Sequence, residues 1–593
     1  MLSMNFTNLL LSASVVVAVL PIAAVAGDPR IDQWYTVQTG KYARIYTDAA
    51  AKTAGNAVAT WSNGSQTQTL PAYSGVQEVS SSDSWVYLRT TGLGVHVMGP
   101  WSVGFPNLPQ NRKILYRIPR TTAVPATPSL TGLGSIGYFV DGVAMFDSRD
   151  GFFWNGSTEG GGAGSGFWNR EAYVNEGATF DPAYAHQEQQ GTYHYHANPI
   201  ALRYLLGDHV DLNATTRTYS ESTAPVTRHS PILGWVADGF PVYGPYGYAA
   251  ATNPAGGLRR MISGFQLRNG QKGTDNLTTS GRSSIPAWAK RLYGSTGTQT
   301  GPAVSTTYPL GRYMEDNAYL GDLGFSQGTD FDLDESNGRF CVTPEFPNGT
   351  YAYFVSIAAD GTPVYPYNIG RAYHGTPSGG DVASISETVT TNFVGGPSRP
   401  VVFDVPTLKN GEVTLVWSAV EGGSYQLESA NDLQSWSSTG SLVTASGNVG
   451  TTNVAAASLG DRRFYRVSAV TLADYDPATG TANSGGTGGG GGRGGTQGPP
   501  LASISPISGN RGSSVTVTMT LGQNPPPAAV DPSSATLGTI AGSSVKRSGN
   551  TVTATFTIPS NASIGAVTAS VTFPGPPGSG DVSFALQNGF TIR

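Results

Sequence analysis

Short runs in which apolar and polar residues alternate recur along this chain, and helical periodicity is weak throughout. Ser84-Trp85-Val86-Tyr87-Leu88 and Ile136-Gly137-Tyr138-Phe139-Val140 are early examples. Val413-Thr414-Leu415-Val416-Trp417 and Val515-Thr516-Val517-Thr518-Met519-Thr520 repeat the pattern further on. A period of two sends successive side chains to opposite faces, so these runs read as half-buried β-strands separated by turns. The best helical stretch, Ser284 to Tyr293, is short. The pattern predicts a mainly β protein: a β-rich N-terminal domain over residues 28–396, then two immunoglobulin-like β-sandwich modules over 398–472 and 501–593. Residues 473–500 include a glycine run ending at Pro499-Pro500. That composition cannot build a core, so it reads as a flexible linker.

The first residues follow a different logic. Leu9 to Val25 is an apolar run, and Ala24-Val25-Ala26 offers small residues for cleavage before Gly27. Residues 1–26 therefore read as an export signal, although no Lys or Arg precedes the run. No later stretch is long and apolar enough to span a bilayer, so the mature chain is expected to be secreted or held at the cell surface. Only 12% of residues are charged and no basic run exists, which excludes the electrostatic footprint of a nucleic-acid binder. Cys341 is the only cysteine, so no intramolecular disulfide can form, and its apolar context reads as a buried thiol.

All seven histidines fall within residues 28–396, which locates any imidazole chemistry there. The most unusual stretch is Gly191-Thr192-Tyr193-His194-Tyr195-His196-Ala197-Asn198-Pro199. In an extended strand His194 and His196 leave one face, while Tyr193 and Tyr195 leave the other. Side-chain bases about 6–7 Å apart allow both rings to converge on one metal ion, with a further ligand brought by the fold. The leading third ligand from sequence is His229, followed by His186. Imidazole donors suit Zn²⁺ and Cu²⁺ equally. The bland alternative places both histidines at a polar surface or has them simply donate hydrogen bonds.

A second stretch runs from His229 through Asp238-Gly239 to Tyr243, Tyr246 and Gly247. Asp238-Gly239 is a strong turn signal. Asp238 is either a turn carboxylate bonded to its own backbone or a group that fixes a histidine tautomer. Tyr193, Tyr195, Tyr243, Tyr246 and His374 are candidates for supporting the site or touching a substrate. His209 reads as a surface residue and His96 as structural. Asp330, Asp332, Asp334 and Glu335 invite a calcium reading, but an EF-hand needs glycine where Glu335 stands and glutamate where Cys341 stands. Only a looser Ca²⁺ site survives as a reading. The sequence holds no Gly-x-Ser-x-Gly elbow, no His-Glu-x-x-His and no phosphate-binding loop.

Tyr193 to Pro199, followed by His229 to Tyr248, resembles the YHYH-domain family of secreted bacterial proteins. Asp141 to Phe146, Leu333 to Arg339, Tyr351 to Phe354 and Tyr365-Pro366-Tyr367 extend the likeness over most of residues 130–375. The family is defined by its sequence, so metal binding is expected here from the histidines rather than from the family. Tyr425 to Ser429, Trp436 and Arg463 to Val467 resemble a fibronectin-type-III-like module. Ile504 to Gly509 and the strand after it look like an IPT/TIG immunoglobulin-like domain. Such modules imply presentation or attachment, with an extracellular polysaccharide or a cell-surface protein as partner. Two other functions stay open: a metal-dependent secreted hydrolase or oxidase, and a metal-free adhesin whose aromatic loop around Tyr243 to Tyr248 stacks on glycans.

Overall fold

Eight short strands form the sheet that carries the histidine pair. They are β1 (Ser135–Phe139), β2 (Ala144–Phe146), β3 (Ala185–Gln187), β4 (Tyr193–Tyr195), β5 (Ile232–Val236), β6 (Pro241–Tyr243), β7 (Gly338–Cys341) and β8 (Thr350–Phe354). The computed structural model describes residues 28–592 apart from 64–66, 103–106, 162–165, 397–400, 432–434, 456–462, 472–473, 477–480, 484–500, 522–529, 539, 563–564 and 575–581. The expected export signal and the glycine run lie outside the described residues.

The strand order is β3-β4-β2-β1-β5-β6-β8-β7, which reads the same from either edge if the first four strands are matched to the last four. β1–β2, β3–β4, β5–β6 and β7–β8 are antiparallel pairs, β2–β4 and β6–β8 are parallel, and the halves meet along antiparallel β1–β5. The sequence carries the same duplication. Ile136-Gly137-Tyr138 … Asp141-Gly142 matches Leu233-Gly234-Trp235 … Asp238-Gly239, and Gly191-Thr192-Tyr193-His194-Tyr195-His196 matches Gly349-Thr350-Tyr351-Ala352-Tyr353-Phe354. Both Asp-Gly turns place glycine at positive φ, 82° for Gly142 and 85° for Gly239, where a side chain would be strained. Gly137 and Gly234 face the seam between the halves. A Cβ on Gly234 would sit 2.8 Å from Tyr138 O, and one on Gly137 would collide with Trp235 O.

A five-stranded sheet packs on the same core. Its order is Gly380–Asp381, Ile114–Pro119, Trp85–Thr90, Val76–Ser81 and Thr390–Val394, so both ends of this region meet in one sheet. Val79, Val86, Leu88 and Ile118 join Phe139, Tyr195, Trp235 and Tyr353 in a single buried cluster. The helix expected near Ser284 spans Ala287–Tyr293, preceded by Pro286 and stopped by left-handed Gly294. Cys341 is buried.

The chain divides into two compact units, residues up to Gly485 and Gly486–Arg593. The first unit includes a small sandwich with Leu415, Trp417, Tyr425 and Leu427 at its centre. Tyr73 completes that core, and Glu421 accepts from Tyr42 N at 3.0 Å and pairs with Arg44. The second unit pairs a four-stranded with a five-stranded sheet around Val517, Met519, Phe556, Phe573 and Phe584. The protein is mainly β, with two small β-sandwiches after the N-terminal region.

Candidate metal centre

The hairpin β3–β4 places His186 directly opposite His194. His196 lies two residues further along, on the same side as His194 because strand side chains alternate. The three rings face one another, with centroids 4.7 Å apart for His186–His194 and His194–His196 and 5.6 Å for His186–His196. One ring nitrogen from each lies within 4.8 Å of the others. His194 and His196 bring their Nε2 atoms to 3.0 Å. Two ligands about 2.0–2.1 Å from one ion, at angles of about 90–110°, stand about 2.9–3.4 Å apart, so this pair fits a single ion. The histidines are 2–5% exposed, which removes the polar-surface reading.

The other ring nitrogens fix the tautomers. His194 Nδ1 lies 2.8 Å from Thr192 O, and His196 Nδ1 lies 2.6 Å from Asp147 O. Carbonyl oxygens only accept, so both Nδ1 atoms carry hydrogen. His186 Nδ1 meets Thr179 Oγ1 at 2.8 Å, and that hydroxyl donates to Glu176 O at 2.6 Å. The hydroxyl hydrogen is thereby engaged, so Oγ1 accepts from His186 Nδ1. Neutral rings then aim three Nε2 lone pairs at one point, an arrangement that calls for a cation or a shared proton.

A carboxylate completes the set. The helix Ala172–Glu176 ends on Glu176, whose Oε2 lies 3.3 Å from His196 Nε2 and 3.6 Å from His186 Nε2. That oxygen is buried and accepts no well-aligned hydrogen bond. Burial pushes His186 and His194 well below the usual imidazole range, and their neighbouring rings add to this, so both stay neutral and competent as ligands. Burial also opposes charge on His196, but Glu176 and Asp147 outweigh it and raise its pKa. The donor set, the occupied Nδ1 atoms and the orphaned carboxylate oxygen fit a divalent transition metal. Phe146 stacks on His194 at 3.8 Å, and Phe180 meets His186 edge-on at 4.8 Å, so two aromatic rings flank the triad.

Sequence reasoning ranked His229 above His186, and the structure brings in His186. His229 sits in the other half of the sheet among Tyr243, Tyr248 and Phe354, with Nδ1 2.7 Å from Ser230 O. In that half, Arg339, Ala352 and Phe354 stand where His186, His194 and His196 stand in the first. Asp238 is a turn carboxylate: Oδ1 accepts from Phe240 N, and Oδ2 accepts from Tyr353 at 2.6 Å and Gly375 N at 2.9 Å. None of these bonds reaches a histidine side chain. Tyr193 and Tyr195 lie on the opposite face from the imidazole pair. Tyr193 donates to Asp181 at 2.7 Å, near His96, and Tyr195 packs against Phe139.

Tyr243 bonds with Thr343 and Glu345, and Tyr246 donates to Glu221 at 2.7 Å. Both tyrosines are buried, so they offer no glycan-stacking platform. His374 stacks on Tyr351 at 3.5 Å, away from the triad. In the acidic run, Asp332 pairs with Arg259, Glu335 pairs with Arg291, and Asp334 accepts from Ser336 N and Gly338 N. Among the described residues, the histidine triad is the one group with metal-ligand spacing. Glu176 and Thr179 were not foreseen, and no spacing rule marks them: Glu176 is one of many carboxylates and arrives on a five-residue helix.

A family model described as "YHYH protein" matches residues 115–387. This segment is a YHYH domain. It contains the whole triad, Glu176 and both halves of the duplicated sheet. No curated protein matches the chain significantly. Among solved structures, a crystal structure of the ICAM-5 D1–D4 ectodomain fragment is 20% identical, over 35% of this chain and 57% of that one, with a TM-score of 0.12. The chain thus spans little more than half of that fragment. No helix among the described residues is long and apolar enough to cross a membrane.

Proposed function

We infer that this is an exported protein whose YHYH domain holds one divalent metal ion on His186, His194, His196 and Glu176. The observation that carries the reading is the convergence of three Nε2 atoms whose Nδ1 partners all fix the ligand tautomer. Zn²⁺ suits a near-tetrahedral set of three imidazoles and one carboxylate, and Cu²⁺ is the competing occupant. Four protein donors close the coordination sphere, which favours a structural or metal-retaining role over hydrolysis or oxidation. The fibronectin-III-like and IPT/TIG-like sandwiches then act as spacers or attachment modules at a cell surface or extracellular polymer.

The test is elemental analysis of purified protein loaded with Zn²⁺ or Cu²⁺ and passed through a desalting column, for the native chain and for His194→Ala/His196→Ala. One equivalent of metal retained by the native chain and almost none by the variant is the expected result. Near-zero metal in both ends the proposal.

A further inference from the structure

A second feature of the YHYH domain is independent of the histidines. A cavity of about 400 Å³ opens beside Thr131 and Arg149, bounded by the end of the Ala287–Tyr293 helix and by Arg371. Its walls include Leu133, Phe167, Leu292 and the Tyr293 ring. Arg371 is 6% exposed, and its guanidinium carbon lies 5.8 Å from the Tyr293 ring centroid. Nη1 donates to Thr131 O at 2.6 Å and to Thr131 Oγ1 at 3.0 Å, which are neutral acceptors. Nε is buried with no hydrogen-bond partner.

A buried guanidinium is costly unless a negative group compensates it. The carboxylates nearby serve other groups. Asp147 pairs with Arg149 at 2.8 Å and accepts from Thr131 at 2.9 Å. Glu315 accepts from Asn169 N, Asn169 Nδ2 and Tyr293. Among the described residues no carboxylate comes within ion-pairing distance of Arg371. The cavity thus combines a cation with no carboxylate of its own and apolar side chains beside it, at a volume typical of small-molecule sites.

We propose that this cavity binds an organic monocarboxylate with an apolar body, its carboxylate on Arg371 and its hydrocarbon against Leu133, Phe167 and Leu292. Planar guanidinium donors match carboxylate geometry, and the apolar side chains offer a hydrocarbon body contacts that a purely inorganic anion cannot make. The site reaches the metal centre only indirectly: Asp147 accepts from Arg149 and Thr131 through its side chain, and its backbone oxygen holds His196 Nδ1.

Calorimetric titration of the full chain with benzoate, its neutral isostere benzamide, and inorganic phosphate tests this. Benzoate is expected to bind one to one with a Kd of about 1 mM or tighter, and the other two at least about tenfold more weakly. Arg371→Gln is expected to weaken benzoate at least about tenfold. Gly132→Phe provides a second probe. Gly132 lines the cavity, and a Cβ there meets nothing within 4 Å, so a phenylalanine adds bulk at the cavity's edge without moving backbone. It should abolish benzoate binding in a folded protein. His194→Ala should leave benzoate binding unchanged. The proposal is overturned if benzoate does not bind, if benzamide or phosphate binds as tightly, if Gly132→Phe has no effect, or if His194→Ala removes binding and so assigns the anion to the metal centre.

Discussion

Thr179→Val probes the metal centre without touching a ligand. The Thr179 hydroxyl donates to Glu176 O and accepts from His186 Nδ1, so it keeps the proton on Nδ1 and the lone pair on Nε2. Valine keeps the shape and removes the acceptor. His186 must then either bury an unpaired N–H, at about 1–3 kcal/mol, or move its proton to Nε2 and lose its donor function. Loss of such an outer partner lowers metal affinity about 10–100-fold, or about 1.4–2.7 kcal/mol. Zn²⁺ dissociation constants measured by competition with a chelating dye read the change. Nitrogen chemical shifts of His186 in the metal-free protein read the tautomer. His186→Ala should cost more, since it deletes the donor itself. An unchanged Zn²⁺ affinity in folded Thr179→Val would refute the argument that these contacts prepare the triad for an ion.

Four further outcomes are expected. Metal must displace the proton that Glu176 and Asp147 favour on His196, so affinity should fall about tenfold per pH unit below the raised His196 pKa and level off above it; His186 and His194, shifted down, should compete only in much stronger acid. In the metal-free chain the sign reverses for stability: the His196–Glu176 pair should contribute fully below pH 6.5, and its contribution should disappear as pH rises through the folded value, which thermal melts across neutral pH will show. Gly137→Ala should destabilise the YHYH domain by about 1–3 kcal/mol or more, seen as a lowered Tm, because its Cβ collides with Trp235 O at the seam of the sheet. Glu421→Gln should cost about 1–2 kcal/mol in denaturant melts, since it weakens the bonds to Tyr42 N and Arg44, and no loss would show that the small sandwich does not depend on that contact.

Much of the β-structure was legible from short alternating runs, although Ser135–Phe139 turns out to be buried on both faces. Alternation marks Trp85–Thr90, Ser135–Phe139 and Glu412–Ser418, and in the last the buried positions follow period two. The shared direction of His194 and His196 follows from the same rule. The third ligand was harder. The Gly/Pro-rich aromatic surroundings of His229 look like a companion to the histidine motif, but they belong to the repeat of residues 136–146 in the other half. Similarity there records duplication, not proximity. The duplication itself is written in Gly191 to His196 and Gly349 to Phe354, yet the halves are unevenly spaced: a long insertion separates Tyr243 from Gly338, where the first half has the shorter passage from Phe146 to Ala185. Choosing His186 requires the β3–β4 register, and choosing Glu176 requires the path of the chain into β3. Both are long-range packing outcomes that local periodicity does not encode.

The lone thiol has a consequence for how the chain endures on the proposed export. With Cys341 buried and no second cysteine in the sequence, the covalent staple common in extracellular proteins is closed to this one. On the proposed coordination, an ion would tie the Ala172–Glu176 helix, an edge strand and its neighbour into two consecutive small loops. A cross-link over about 15 residues limits the unfolded ensemble by about 3 kcal/mol in the chain-entropy account, so a metal clasp of this span would rival a cystine while remaining removable by any stronger chelator in the surroundings.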